Sequence, residues 1–203
     1  MRLFGVCVMK KLLITGFDPF GGESINPAWE AVKRLPDTVG DCEIERLMIP
    51  TVFGRAAEVI LAAAEGLNPD AILCIGQAGG RDAVTPELVA INLREARIAD
   101  NEGNQPNATP VVEGGDKAYF STLPVREMVA AIKEKGIASR LSYSAGAFVC
   151  NDVLYTLLHR FDGSATRVGF IHVPFLPEQA KEGIPSMPIE AIIEAIKKAI
   201  EVI

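Results

Sequence analysis

The sequence predicts a three-layer α/β/α domain built around a largely parallel, twisted sheet. Three observations predict it. Short apolar runs alternate along the chain with longer amphipathic ones, the rhythm of strand–helix units. One run, AILCIG (71–76), is apolar on both faces and so belongs at the centre of a covered sheet. No internal repeat or low-complexity linker divides the 203 residues, of which 49% are hydrophobic, enough to bury one substantial core.

The elements follow in order. KLLITGF (11–17) reads as a buried strand, leading into the glycine-rich loop DPFGGESI. Asn26-Pro27 starts a helix over AWEAVKRL, with a side-chain cap and a first-turn proline. CEIERLMI (42–49) is a second strand, and Thr51 is placed to cap a helix over GRAAEVILAAAEG. Asn68-Pro69-Asp70 turns the chain into the central strand. PELVAINLRE (86–95) is strand-like, and 100–116 reads as a long polar loop. In PVREMVAAIKEKG (124–136), Val125, Met128, Val129 and Ile132 share one helical face, and the helix ends in glycine. ASRLSYS (138–144) reads as a strand, CNDVLYTLLHRF as a helix and RVGFIHV (167–173) as another strand. Ile192, Ile193, Ile196 and Ile200 form the stripe of a closing helix. The expected division is one domain over 9–203, preceded by an extension, 1–8. No signal peptide is expected, because the apolar stretch Leu3 to Met9 is short, is cut off by Lys10 and Lys11 and has no small-residue cleavage site after it. Met9 would make a natural start.

Charge and cysteine usage narrow the function. The net charge of −6, with no run of Lys or Arg longer than two, argues against nucleic acid or an anionic membrane as partner. No segment approaches the roughly 18 apolar residues of a membrane span. Cys7, Cys42, Cys74 and Cys150 show neither CxxC nor metal spacing with His159 and His172, so free cytoplasmic thiols are expected, with no metal and no cofactor.

In open α/β sheets, sites gather beyond the carboxyl ends of the strands. Cys150 and His172 both fall there. Cys74, inside an apolar strand, and Cys42, opening one, read as small core hydrophobes. Cys150 instead follows a loop containing Gly146 and opens a helix, where unpaired N–H groups would favour a thiolate and an oxyanion. His172 ends its strand just before Pro174, whereas His159 lies late in a helix beside Arg160, on its surface; a Cys–His pair would use His172. Asp82 and Glu87 both offer a carboxylate to orient the ring, and spacing does not choose between them. GFDPFGG and GQAGG lack phosphate-loop spacing, while Phe17 and Phe20 suit a flat ligand.

Together, TGFDPFGGESINPAWEAV, IGQAGGRDAVTPELVAIN, RIADNEG, SYSAGAFVCN and GFIHVPFLPEQ resemble the pyroglutamyl peptidase I family of cytoplasmic cysteine peptidases, from Met9 onward. The resemblance implies Cys150 as nucleophile, His172 as general base and Glu87, rather than Asp82, as the residue orienting it. It places Phe17 and Phe20 around a pyrrolidone ring with Gln77 nearby. It assigns pocket or loop support to Asn26, Thr51, Arg97 and Ile98. It also implies release of N-terminal pyroglutamate from peptides and a homo-oligomer, commonly a tetramer. Leu88 stands where the family often has a basic residue, and the Cys150–His172 interval is slightly short, around FDGSA. The rival readings are a nucleoside-phosphorylase-like enzyme, with phosphate on the glycine loops, and a non-catalytic module that kept the pocket.

Overall fold

The structure, a computed structural model, describes residues 9–203; the expected extension 1–8 lies outside them. Four parallel strands form the heart of a six-stranded sheet: β1 (Lys10–Phe17), β3 (Cys42–Ile49), β4 (Ala71–Gln77) and β8 (Arg167–Val173). Two-residue strands β2 (Thr38–Val39) and β5 (Thr85–Pro86) close the edges antiparallel, giving the order β2-β3-β1-β4-β8-β5. Short edge strands leave little unpaired backbone to template another chain.

The central strands explain the layers. Along β1, Leu12 and Ile14 face one side while Leu13 and Phe17 face the other, and β4 and β8 alternate likewise. The first side packs on α1 (Pro27–Val32), α3 (Val125–Glu134) and α5 (Ile189–Ile200) through Ala28, Met128, Ile132, Ile192 and Ile196. The second packs on α2 (Arg55–Leu67) and α4 (Val149–Arg160) through Ile60, Val153, Leu154 and Leu157. Both faces of β4 are therefore buried, as its unbroken apolar run requires. A small ribbon of β6 (Val89–Ile91) and β7 (Ala118–Phe120) lies over α4. Among the described residues, no helix is long and apolar enough to cross a membrane.

Three expected elements form differently. Thr51 does not cap α2: the helix starts after Gly54, at φ +73°, and Thr51 is buried with its N–H on the Asp18 carboxylate. The run 86–95 is not one strand, because Pro86 ends on the main sheet while Val89–Ile91 leaves to pair with β7. Residues 138–144 make only two bridges, at Ser139 and Ser142. Their parallel ladder with 84–88 is interrupted at Pro86, which has no N–H to give.

Asn26 does cap α1: its Oδ1 accepts the Ala28 N–H and its Nδ2 donates to the Asp18 carbonyl. Replacing it with alanine removes a cap and a loop tether at once. Asn26→Ala is expected to destabilise the protein by about 1–2 kcal/mol, read as a drop in melting temperature.

Candidate active site

The carboxyl ends of β4 and β8 and the start of α4 converge on one spot. In the register of the parallel pair, Gly76 stands beside His172. A methyl group on Gly76 would lie 3.1 Å from the Cys150 sulfur and 2.6 Å from the Phe170 ring. The missing side chain at 76 thus makes the space in which the sulfur sits over β4, next to the His172 strand. Gly146, at φ +81°, lets the preceding loop turn into α4, and Cys150 is the helix's second residue.

His172 is 4% exposed, and its Nδ1 lies 2.7 Å from Glu87 Oε1, which is fully buried. That contact assigns the Nδ1 proton to the carboxylate side and leaves the Nε2 lone pair as the available base. The Phe170 ring, 4.8 Å away between centroids, backs the imidazole. Asp82, the other candidate acid, is exposed and pairs with Arg140. His159 is exposed on α4, with its Nδ1 against the Tyr119 hydroxyl. The structure therefore brings Glu87 and His172 together and leaves Asp82 and His159 outside.

Burial opposes charge on every member. It pushes the Cys150 thiol up to about 12, the Glu87 charge adding to the effect, while Arg81 and the residue's own backbone N–H pull the other way without prevailing. Desolvation of the sulfur and the Glu87 charge thus oppose the lowering expected from a helix start, although the residue as a whole is only half-buried. Burial likewise pushes His172 below the usual histidine range, against the pull of Glu87. Glu87 is itself penalised by burial, but its contacts with His172, Ser142 and Arg81 outweigh that and hold it below the usual carboxylate range. These directions favour a neutral thiol and a neutral imidazole beside the Glu87 carboxylate. Cys74 and Cys42 are buried, as expected of core thiols.

The remaining site residues fall into two groups. Phe20 is half-buried and leans on Phe148, at 6.1 Å between centroids, which in turn meets Phe53 edge-on at 5.2 Å. Gln77, at the end of β4, accepts a hydrogen bond from Gln179 Nε2 at 3.1 Å. Phe17, by contrast, is only 2% exposed and packs against Phe170, so it forms the floor beneath the site and not an open wall. Asn26 and Thr51 both donate to the Asp18 carbonyl and so hold the loop that carries Phe20. Arg97 and Ile98 are exposed; Arg97 lines an open cleft of about 650 Å³ with Glu95, Gln105, Asn107 and Ala147, and Ile98 approaches Gly21.

Sequence reading missed Phe148, Phe53, Asp152 and Arg81. Phe148 stood two residues before Cys150 and was legible there. Asp152 was not: its buried carboxylate accepts the Gly54 N–H at 2.7 Å and Arg94 Nε at 2.5 Å, joining segments far apart in the chain. Beside it, Asn151 bonds Ile91 and Leu93, fixing the ribbon to the start of α4. Among the described residues, no three His, Cys, Asp or Glu side chains gather as a metal site would require.

Residues 10–203 match the family model described as pyroglutamyl peptidase. The chain is 52% identical over 199 residues to the pyrrolidone-carboxylate peptidase of Bacillus cereus (strain AH820), covering 96% of this chain and 93% of that protein. It is 51% identical to the protein of the same name from Enterococcus faecalis, covering 94% and 92%. The fold is similar to the crystal structure of pyroglutamyl peptidase I from Bacillus amyloliquefaciens, with a TM-score of 0.91, 48% identity and coverage of 95% and 96%. It also resembles pyrrolidone carboxyl peptidase from Thermococcus litoralis, with a TM-score of 0.90, 38% identity and coverage of 96% and 93%. The phosphorylase-like and non-catalytic alternatives find no support in these likenesses.

The space at Gly76 is the most demanding packing feature of the site. Gly76→Ala is expected to displace the Cys150 sulfur and the Phe170 ring, destabilising the fold by about 1–3 kcal/mol. The rate of Cys150 alkylation by iodoacetamide should change in the folded variant; an unchanged rate would mean the sulfur does not rest on β4.

Proposed function

The chain belongs to the pyroglutamyl peptidase family, and from that premise we propose that it releases the N-terminal pyroglutamyl residue of peptides through a thioester on Cys150, with His172 as general base and Glu87 as the group that orients it. The single observation that supports this most is the buried Glu87–His172 contact at 2.7 Å, beside the strand position over which the Cys150 sulfur sits.

Because burial disfavours charge on thiol and imidazole alike, attack and deprotonation are assigned to one step. His172 Nε2 takes the thiol proton as sulfur bonds to the pyroglutamyl carbonyl carbon. The carbonyl oxygen becomes an oxyanion, for which the first-turn N–H groups of α4, free of helical partners, are the available donors. The imidazolium is stabilised by Glu87 and then passes its proton to the departing amine, breaking the C–N bond and leaving the thioester. Water, deprotonated by His172, attacks that thioester; pyroglutamate leaves and the thiol regains its proton.

The side chains around the site suit the substrate. Pyroglutamate is an uncharged five-membered lactam, so recognition needs apolar walls and partners for one N–H and one C=O. Phe20 and Phe148 provide the walls, with Phe17 beneath, and Gln77 has an amide of the right kind. An N-terminal proline has the ring but a charged nitrogen and no lactam carbonyl, so it would leave those partners unpaired. A homo-oligomer, four copies by family resemblance, belongs to the same reading. The apolar Phe120, 67% exposed, and Ile91 on the outer ribbon favour such a contact. The free thiols of Cys42, Cys74 and Cys150 suit the reducing cytoplasm.

A pyroglutamyl amide of a chromogenic amine should be cleaved, the matching prolyl amide about 10⁴-fold more slowly. Cys150→Ala should fold and lower turnover by about four orders of magnitude or more. Substantial activity in that variant would remove Cys150 from the mechanism.

The pH dependence follows from the directions above. His172 must be neutral to act, and its affinity for protons is lowered, so kcat/KM should hold through neutrality and fall only below the ordinary histidine value of about 6.5. The thiol is raised, so alkylation of Cys150 should climb steadily above pH 8. A plateau of alkylation between about pH 5 and 8 would instead indicate a preformed thiolate–imidazolium pair.

A further inference from the structure

Arg81 has no role in the steps above, yet directly or through one neighbour it is joined to every segment that carries them. Its Nη1 donates to Glu87 Oε1 at 2.7 Å, the same oxygen that meets His172 Nδ1, and also to Thr85 Oγ1. Thr85 Oγ1 in turn donates to the His172 carbonyl at 3.4 Å. The other prong, Nη2, donates at 3.2 Å to the carbonyl of Ser144, in the loop that leads into Cys150. An open recess of about 310 Å³, lined by Arg81, Thr85, Arg140 and 141–144, lies outside this contact. Arg81 lines it and Glu87 does not. The guanidinium thus stands between solvent and the buried carboxylate.

We propose that Arg81 is a positioning residue of this site: its fork clamps the Glu87 carboxylate against His172 Nδ1 and ties both to the loop before Cys150. The proposal rests on the roles assigned above to Cys150, His172 and Glu87. Two consequences follow from a fixed cation at that place. It stabilises Glu87 as a carboxylate in a site that otherwise penalises charge, and it repels a proton on the Glu87–His172 pair, so that the imidazole stays available as a base. It also favours negative charge on the sulfur, in the direction attack requires. The titratable or charged groups that face the pair are Arg81 from the loop after β4, Glu87 itself after β5, and Cys150 from α4; Cys74 of β4 stands behind the sulfur. Arg140 and Asp82 pair with each other at the rim.

The chain has two histidines, and the exposed His159 serves as an internal reference for His172. Ring resonances of both are titrated by NMR in the unmodified protein, in Arg81→Met and in Arg81→Lys. In Arg81→Met, proton uptake at His172 should move up by roughly 0.5–1 pH unit while His159 stays in place. In Arg81→Lys, which keeps the charge but not the fork, it should stay within about 0.3 unit of the unmodified protein. With a pyroglutamyl amide, the acid limb of kcat/KM should shift in parallel in Arg81→Met. There kcat should fall by about tenfold or more and KM change by less than about threefold, as expected when a transition-state interaction is lost. A folded Arg81→Met whose His172 titrates where the unmodified protein's does, or lower, overturns the proposal. Should Arg81→Met not fold, Arg81→Gln, with a donor but no charge, takes its place with the same criteria. If the unmodified protein released no amine, the assigned activity would fail, and the ring titration would still decide the part played by Arg81.

Discussion

Everything at this site depends on a carboxylate held without water. Glu87 has no exposed surface, and such a group keeps its charge only if partners replace its hydration. Its Oε1 has two close ones, His172 and Arg81, and the Ser142 side chain adds to them. Removing either partner would leave a buried charge undercompensated, a loss larger than the worth of the pair itself. The surrounding chain is arranged to keep this small cluster together. Glu87 is fixed by its own N–H on the Phe170 carbonyl, and its neighbour Leu88 by Ser142, so the acid is locked at the point where the chain leaves the main sheet.

The departure from regular structure there has a purpose in the fold. A continuous strand through 86–95 would alternate its side chains across one sheet and carry Val89–Ile91 along the main layer. The break at Pro86 lets Glu87 turn inward beside β8 while the following residues cross to α4. There Asn151 and Asp152 hold them, one bonding the ribbon and the other reaching Arg94 and Gly54. The first turn of α4 is therefore anchored by the two residues that follow Cys150. The helix start, and with it the donors offered to an oxyanion, is fixed by packing and buried polar contacts and not by its own cap, since Phe148 supplies no side-chain bond.

Much of this was legible in the sequence, for reasons that also explain what was not. β4 was plain because a strand covered on both faces must be apolar throughout, and the Asn26-Pro27 start was plain because its partners lie two residues away. Cys150 and His172 were separable from Cys74 and His159 by their positions at element ends. The choice between Glu87 and Asp82 was not available from spacing, because it depends on a strand ending at Pro86 and on Arg140 drawing Asp82 outward. For Cys150 the helix start and the tertiary setting pull in opposite directions: a helix start stabilises a thiolate, while burial and the Glu87 charge, which no local pattern shows, work against it. Asp152 acts through contacts with segments well removed in sequence, and Arg81 joins the nearby Thr85 and Glu87 to the distant Ser144, which no local pattern announces.

A thiol and an imidazole that favour neutrality at rest are consistent with the substrate proposed for the site. A lactam-blocked terminus brings no charge, so a pocket that excludes water loses little by admitting it, whereas a protonated terminus would have to shed its hydration without a carboxylate clamp to replace it. Charge then appears only as the sulfur attacks, on the oxyanion and on the imidazole together. The groups that would meet them, the opening N–H groups of α4 and the Glu87 carboxylate, are already in position. Interactions of that kind strengthen between ground state and transition state, and so they raise the rate of the chemical step instead of merely tightening binding. Burial that makes the thiolate costly at rest is, on this account, the same property that makes its stabilisation effective when the bond forms.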